Sequence, residues 1–169
     1  MSQLHLRRPV ACVVGAVPGF LDAFLADQRQ GDKTVVTLRL PLGFPGLPTL
    51  EAERDCVIVV RRDDVSTTMV ASYAVSWSAD RGGPFPVFHG TLTIDNDEDY
   101  TSCFLDLRGN YSPPLGAAGE LFDVVVGNAV ANRVGADLLE RIGTYLEEAY
   151  RASEAAKAVR RAGAVAPPA

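Results

Sequence analysis

Residues 119–158 read GELFDVVVGNAVANRVGADLLERIGTYLEEAYRASEAAKA, and this stretch decides the fold. Its apolar residues recur every three or four positions, which is the spacing of one helix face, and charged residues occupy the opposite face. The sequence therefore predicts one helix from about Gly119 to about Ala158. A helix this long with one apolar face must lie across another apolar surface. The predicted apolar stripe consists of Val124, Ala131, Val134, Gly135, Leu138, Leu139, Ile142, Leu146 and Ala149.

The chain before this helix supplies that surface as an antiparallel sheet. It begins with an extended segment from Leu4 to Val14 and a short helix that starts near Pro18 and ends at Gly31. Five segments with strand-like alternation follow, and short turns between them favour antiparallel pairing. The predicted strands are Thr34–Leu40, Cys56–Arg62, Thr68–Ser78, Phe85–Ile94 and Tyr100–Leu107.

The composition is that of one globular domain. The chain has 169 residues, of which 47% are hydrophobic and 22% charged. Residues 1–158 are expected to form one domain and residues 159–169 a flexible tail. No apolar run reaches the ~18 residues of a membrane-spanning helix, and no cleavage site follows residues 10–17, so a cytoplasmic protein without stable membrane insertion is predicted.

Charge and motifs exclude several classes of function. The net charge is −5 and only residues 151–161 are basic, so nucleic acid is not a predicted partner. The chain has no HExxH, GxSxG or P-loop motif, and no metal ion or cofactor is predicted. Three cysteines without CxxC spacing predict buried thiols, and the acidic residues 95–99 predict a hairpin turn. Asp106 and Glu120 are candidate acid/base groups that no spacing pairs.

Two polar residues and three small ones interrupt the helix stripe. Asn128 and Asn132 lie within or beside it, and a buried amide needs hydrogen-bond partners. Gly127, Ala131 and Gly135 either allow close helix–sheet packing or leave a cavity with the amides as its polar groups. On the sheet, Tyr73 and Trp77 share a strand face and combine an apolar body with a polar tip.

The segment that ends in this helix resembles a known family. Leu105-x-Leu107-x-Gly109-x-Tyr111-x-Pro113-Pro114-x-Gly116, followed by the long helix, is similar to the closing segment of START-like proteins, and Phe88-x-Gly90-x-Leu92 is similar to the preceding strand. This superfamily includes polyketide cyclase/dehydrase-like proteins. The resemblance implies an α+β helix-grip fold, in which a curved antiparallel sheet of about six to seven strands wraps around the C-terminal helix and encloses a cavity. Members bind lipids, sterols or polyketides, act as cyclases or hydrolases, or serve as accessory proteins.

Three functions follow as hypotheses. The first is binding of a hydrophobic small molecule in the cavity. The second is an enzyme of the polyketide cyclase/aromatase type, whose catalytic residues the sequence does not identify. The third is an interaction protein with little cavity, in which the apolar loop 41–48, with Leu42, Phe44 and Leu47, makes a homodimer or partner contact. The predicted ligand-binding residues are Met69, Tyr73, Trp77, Leu92, Asn128, Asn132 and Gly135.

Overall fold

The protein is an α+β domain with an antiparallel sheet and a long C-terminal helix, as seen in a computed structural model. The structure describes residues 2–30, 33–41, 51–62, 71–79, 87–112 and 120–164. Within these ranges, side chains are described except at residues 2, 30, 33–41, 51–62, 71, 79, 120–130 and 164. Loop 42–48 and Met69 therefore lie outside the described residues. The elements are β1 (Ser2–Val10), α1 (Val17–Asp27), β2 (Arg29–Gln30), β3 (Lys33–Pro41), β4 (Glu51–Arg62), β5 (Ala71–Ala79), β6 (Val87–Asn96), β7 (Cys103–Ser112) and α2 (Glu120–Ala164).

The strands form one sheet in the order β1-β7-β6-β5-β4-β3-β2, and each neighbouring pair is antiparallel. Side chains are described for four adjacent strands, β1, β7, β6 and β5, and they alternate between a buried inner face and an outer face that is mostly exposed. The predicted alternation of the β5 and β6 segments, and the shared face of Tyr73 and Trp77, are confirmed where side chains are described. The buried inner-face residues are Leu4, Val10, Tyr73, Val75, Trp77, Phe88, Leu92, Ile94, Cys103, Leu105, Leu107 and Tyr111.

Helix α2 packs on β1, β3, β7 and α1. Its predicted apolar stripe is buried from Ala131 to Leu146. The helix continues six residues beyond the predicted end at Ala158, to Ala164. Four of these six residues are alanine or arginine, which are strong helix formers, so the stretch stays helical without an apolar partner. The division into a domain and a flexible tail at residue 159 remains a prediction.

Helix α1 carries Pro18 in its first turn, as predicted, and buries Val17, Leu21 and Phe24. It ends at Asp27 and not at Gly31, because Arg29 and Gln30 already pair with β3 as a short strand. Among the described residues, no helix combines the length and the apolar character that are needed to cross a bilayer.

The turn between β6 and β7 is built around Asp97. The backbone N–H of Asp97 donates to Ser102 O, and its carboxylate accepts hydrogen bonds from Glu98 N at 2.8 Å and Ser102 Oγ at 2.9 Å. Tyr100 adopts a positive φ of 57° in the tip. The acidic stretch therefore forms a hairpin turn, and β7 begins at Cys103, three residues later than predicted.

Candidate functional site

Three aromatic side chains form a row across the inner face, which we call the aromatic row: Trp77 on β5, Phe88 on β6 and Tyr111 on β7. The sheet register places Phe88 opposite both Trp77 and Tyr111. The rings of Trp77 and Phe88 stack with centroids 3.9 Å apart and an interplanar angle of 12°. Each of the three side chains is at most 1% exposed.

Two glycines make room for this row. Gly90 and Gly109 lie opposite each other in the adjacent register position of the same face. A Cβ atom on either glycine would collide with the ring of Phe88 and with the backbone of the neighbouring strand. The ring of Phe88 thus lies across a glycine pair, which explains the patterns Phe88-x-Gly90 and Gly109-x-Tyr111.

The aromatic row carries two buried polar atoms. Trp77 Nε1 and Tyr111 OH are inaccessible to solvent, and neither has a hydrogen-bond partner in the described part of the chain. A buried donor without a partner costs about 1–3 kcal/mol. Both groups can donate a hydrogen bond to an oxygen acceptor brought between the sheet and α2.

The structure brings several of the predicted site residues together. Tyr73 and Leu92 pair in register and are each 1% exposed, and the glycine pair separates them from the aromatic row. Asn132 is half-buried on α2. Asn128 belongs to α2, but its side chain lies outside the described residues, as does Met69. Tyr111 was missed, although strict alternation along Leu105, Leu107 and Gly109 extends to it.

Gly135 lies in direct contact with the sheet. A Cβ atom there would be 2.7 Å from Leu6 Cδ1, 3.1 Å from Leu4 Cδ2 and 3.6 Å from Leu107 Cδ2. This favours close helix–sheet packing over a cavity as the reason for the glycine. At this point of the contact, the sheet and the helix leave no space for a ligand.

Arg8, on the inner face of β1, forms ion pairs with two glutamates of α2. Arg8 Nε and Nη2 donate to the two carboxylate oxygens of Glu140 at 2.8 and 3.1 Å, and Nη1 lies 3.5 Å from Glu147 Oε1. The guanidinium lies against Gly143, where a Cβ atom would occupy its place. The bidentate contact lowers the pKa of Glu140. The sequence indicates this contact in one way: Arg8 is a charged residue at an inner-face position of the alternating pattern Leu4-x-Leu6-x-Arg8-x-Val10.

A second ionic cluster lies on the outer face. Asp106 is 2% exposed and accepts hydrogen bonds from Arg108 Nε and Nη2 at 2.7 and 2.8 Å. Its Oδ2 also lies 3.2 Å from His5 Nε2. The hydrogen bonds from Arg108, and secondarily from His5, hold the pKa of Asp106 below its ordinary value. Asp106 thus has partners that sequence spacing did not reveal, and it faces away from the aromatic row.

A groove lies between α1 and α2, away from the predicted cavity. Its volume is about 360 Å³ and it is open to solvent. Phe24 and Tyr145 both line it and meet edge to face, with ring centroids 5.3 Å apart. Tyr145 OH donates to Asp27 Oδ2 at 3.5 Å. The groove is lined by Phe24, Gln28, Glu140, Arg141, Thr144, Tyr145 and Glu148.

The thiols are buried away from the aromatic row. Cys12 and Cys103 are free and 0% exposed, and burial raises the pKa of Cys12 to about 11 and that of Cys103 to about 12. The side chain of Cys56 lies outside the described residues. In the described ranges, no three histidine, cysteine or acidic side chains cluster as metal ligands would.

Of the comparisons with family models, curated proteins and solved structures, only the last found matches. No family model matches the sequence, and no curated protein matches it. The structure of TTHA0849 from Thermus thermophilus aligns with a TM-score of 0.52 and 13% identity, over 88% of this chain and 99% of that one. A conserved protein from Geobacillus kaustophilus aligns at 16% identity and a TM-score of 0.46, over 88% of this chain and 97% of its own. The likeness to the Thermus protein shows a common fold.

Proposed function

We propose that this protein binds a hydrophobic small molecule of lipid-, sterol- or polyketide-like character between the inner face of the sheet and the N-terminal half of α2. The observation that carries the proposal is the aromatic row with its two buried hydrogen-bond donors. The proposal includes a helix-grip arrangement of the START-like type, with the sheet wrapped around α2. It rests on the sequence resemblance and on the packing of α2 against β1, β3 and β7.

The chemistry of the row fits a mostly apolar ligand with at least one oxygen. Contact with Trp77, Phe88 and Tyr111 removes apolar ligand surface from water, which is worth about 25 cal/mol per Å². Trp77 Nε1 and Tyr111 OH have no hydrogen-bond partner in the described residues, so each can donate to an acceptor oxygen of the ligand. Burial of the ligand's apolar surface thus supplies affinity, and the two hydrogen-bond donors determine how the ligand is oriented.

Binding is favoured over catalysis by the titratable groups of the inner face. A cyclase-type site needs a group with a shifted pKa beside the ligand. Among the described inner-face residues of β7, the group with a raised pKa is Cys103. Cys103 and Tyr111 lie at opposite ends of β7, about 26 Å apart along the strand. The aromatic row is thus suited to hold a ligand, and the tyrosine hydroxyls are the titratable groups that the described residues of β5 and β6 and the neighbouring part of β7 place beside it.

Intrinsic fluorescence tests the proposal directly, because Trp77 is the single tryptophan of the chain. We expect oleic acid, cholesterol or the anthraquinone emodin to shift or quench its emission saturably, and native mass spectrometry to show a bound compound in the purified protein. Replacing Tyr111 by Phe keeps the ring and removes one donor. For a probe that uses this donor, the dissociation constant should rise about tenfold, which corresponds to about 1.4 kcal/mol.

The matched control is Tyr100→Phe, because Tyr100 is 70% exposed in the β6–β7 turn. This variant should bind every probe as the wild type does. The proposal is wrong if no probe changes the Trp77 emission and no compound co-purifies. Equal effects of Tyr111→Phe and Tyr100→Phe would remove the Tyr111 hydroxyl from the site.

A further inference from the structure

The groove between α1 and α2 is a second cavity, and no residue of the aromatic row lines it. It runs along α2 past Glu140, Thr144 and Glu148, which follow one another at a spacing of four and so share one helix face. The first and the last of these residues are separated by about 12 Å along the helix. The groove is open to solvent, and its volume of about 360 Å³ is that of a small-molecule site.

Two aromatic rings give the groove an apolar part. Phe24 of α1 and Tyr145 of α2 both belong to the lining and meet edge to face. Phe24 is 6% exposed and Tyr145 is half-buried. A ligand in the groove can therefore pack an apolar or aromatic group against these rings and remove its surface from water.

At one end of the groove, the charged groups of the lining already have partners. The two carboxylate oxygens of Glu140 accept hydrogen bonds from Arg8, and one of them also accepts from Thr144 Oγ1 at 3.3 Å. Arg141 Nε donates to Asp137 Oδ2 at 3.1 Å. Each of the two lining charges at this end is thus balanced by an opposite charge.

At the other end, the lining carries a carboxylate without a cation. Glu148 is exposed and forms no ion pair with a lysine, arginine or histidine of the described residues. It lies three residues from Tyr145, so the two side chains are neighbours on the helix surface. Burial, and secondarily the carboxylate of Asp27, raise the pKa of Tyr145, so its phenol is neutral at pH 7. The charge that the lining leaves unbalanced is therefore negative.

We propose that this groove binds a small organic cation, namely a primary amine with an aromatic or apolar body. The ammonium group pairs with Glu148, and the body packs against Phe24 and Tyr145. Glu148 repels a ligand that carries a carboxylate, and a neutral ligand of the same shape gains no ion pair. The charge of the groove thus selects the amine.

Titration of the full chain with phenethylamine, followed by the NMR shifts of the backbone amides, tests the proposal. We expect saturable shifts confined to α1 and α2 around the groove, and binding that weakens as salt is raised, because exposed charges are screened. Phenethyl alcohol has the same ring and no charge. Since an exposed ion pair changes affinity by about threefold, the alcohol should bind about threefold more weakly than the amine.

The variant Glu148→Gln keeps the size of the side chain and removes its charge. It should bind phenethylamine about threefold more weakly than the wild type does, and phenethyl alcohol equally well. Glu98→Gln, in the exposed β6–β7 turn, is the charge-matched control and should bind both compounds as the wild type does. Circular dichroism checks that each variant keeps its helix content.

The proposal is overturned if phenethylamine causes no saturable shifts around the groove, or if the alcohol binds as tightly as the amine. It is equally overturned if Glu148→Gln and Glu98→Gln bind the amine alike. A change in the emission of Trp77 on addition of the amine would place the compound at the aromatic row and would also overturn it.

Discussion

At the scale of single residues, Asp106 shows how the outer face of the sheet holds a buried carboxylate. The side chain points away from the apolar core, yet only 2% of its surface is exposed because Arg108 and His5 cover it. Both partners are themselves well exposed, so they remain hydrated while they bind the carboxylate. The cluster therefore ties β1 to β7 from the side of the sheet opposite α2.

Replacing Asp106 by Asn should destabilise the fold. Asparagine keeps the shape but loses the charge-assisted hydrogen bonds from Arg108, and such bonds contribute about 2 kcal/mol each. Because Arg108 is exposed and solvent screens both bonds, we expect the free energy of unfolding at pH 7 to fall by about 2 kcal/mol in all, measured by urea titration. Asp99→Asn, an exposed change in the neighbouring turn, is the control and should leave stability unchanged within about 0.5 kcal/mol.

The difference in stability between the wild type and Asp106→Asn should depend on pH. Since the folded state holds the pKa of Asp106 below its ordinary value, the stabilisation is fully present above the unfolded carboxyl pKa of about 4 and is lost as pH falls below it. The difference in stability between the wild type and Asp106→Asn should therefore shrink between pH 5 and pH 2. A difference that stays constant over this range would show that the charge of Asp106 is not what stabilises the fold.

At the scale of elements, the contact between α2 and β1 is set by a glycine. Gly135→Ala places a methyl group 2.7 Å from Leu6 Cδ1, so the leucine ends must move or the helix must lift. We expect a loss of about 1–2 kcal/mol in the free energy of unfolding, since overpacking outweighs the helix propensity of alanine. Gly19→Ala in α1, which meets nothing within 4 Å, should be neutral or slightly stabilising. Equal stability of the two variants would mean that Gly135 faces open space.

Hydrophobic periodicity predicted which helices form and which face of α2 is buried better than it predicted the residues at which the helices end. The burial of Val134, Leu138 and Leu146 follows from a 3.6-residue repeat sustained over many turns, which is a strong signal. The end of α1 was wrong because β2 is two residues long and depends on its pairing with β3. The end of α2 was wrong because alanine-rich sequence stays helical without apolar contacts.

The sequence predicted which residues of the candidate site share a strand face, but not the contacts that they make across strands. Alternation along β5 placed Tyr73 and Trp77 on one face, but the stacking of Trp77 on Phe88 depends on the register between β5 and β6, which no local pattern encodes. The contacts of Arg8 with Glu140 and Glu147 join residues more than 130 positions apart, so sequence spacing could not reveal them.

At the scale of the whole molecule, the N-terminal strand closes the core beside the last strand. β1 pairs with β7 along its full length, and α2 packs over both. The core at this edge is thus assembled from segments about one hundred residues apart in the chain. Because these contacts are non-local, we expect β1, β7 and α2 to separate together when the domain unfolds.

The buried thiols at this junction can report such opening. Cys12 follows β1, Cys103 begins β7, and both are 0% exposed with a raised pKa, so neither forms a reactive thiolate in the folded protein at neutral pH. We expect iodoacetamide at pH 8 to leave both cysteines unmodified in the native protein, as followed by peptide mass spectrometry. In increasing urea, the two should become labelled at the same rate and with the same midpoint as the loss of circular dichroism. Labelling of Cys12 before Cys103 would show that β1 detaches on its own and that this edge is not part of the cooperative core.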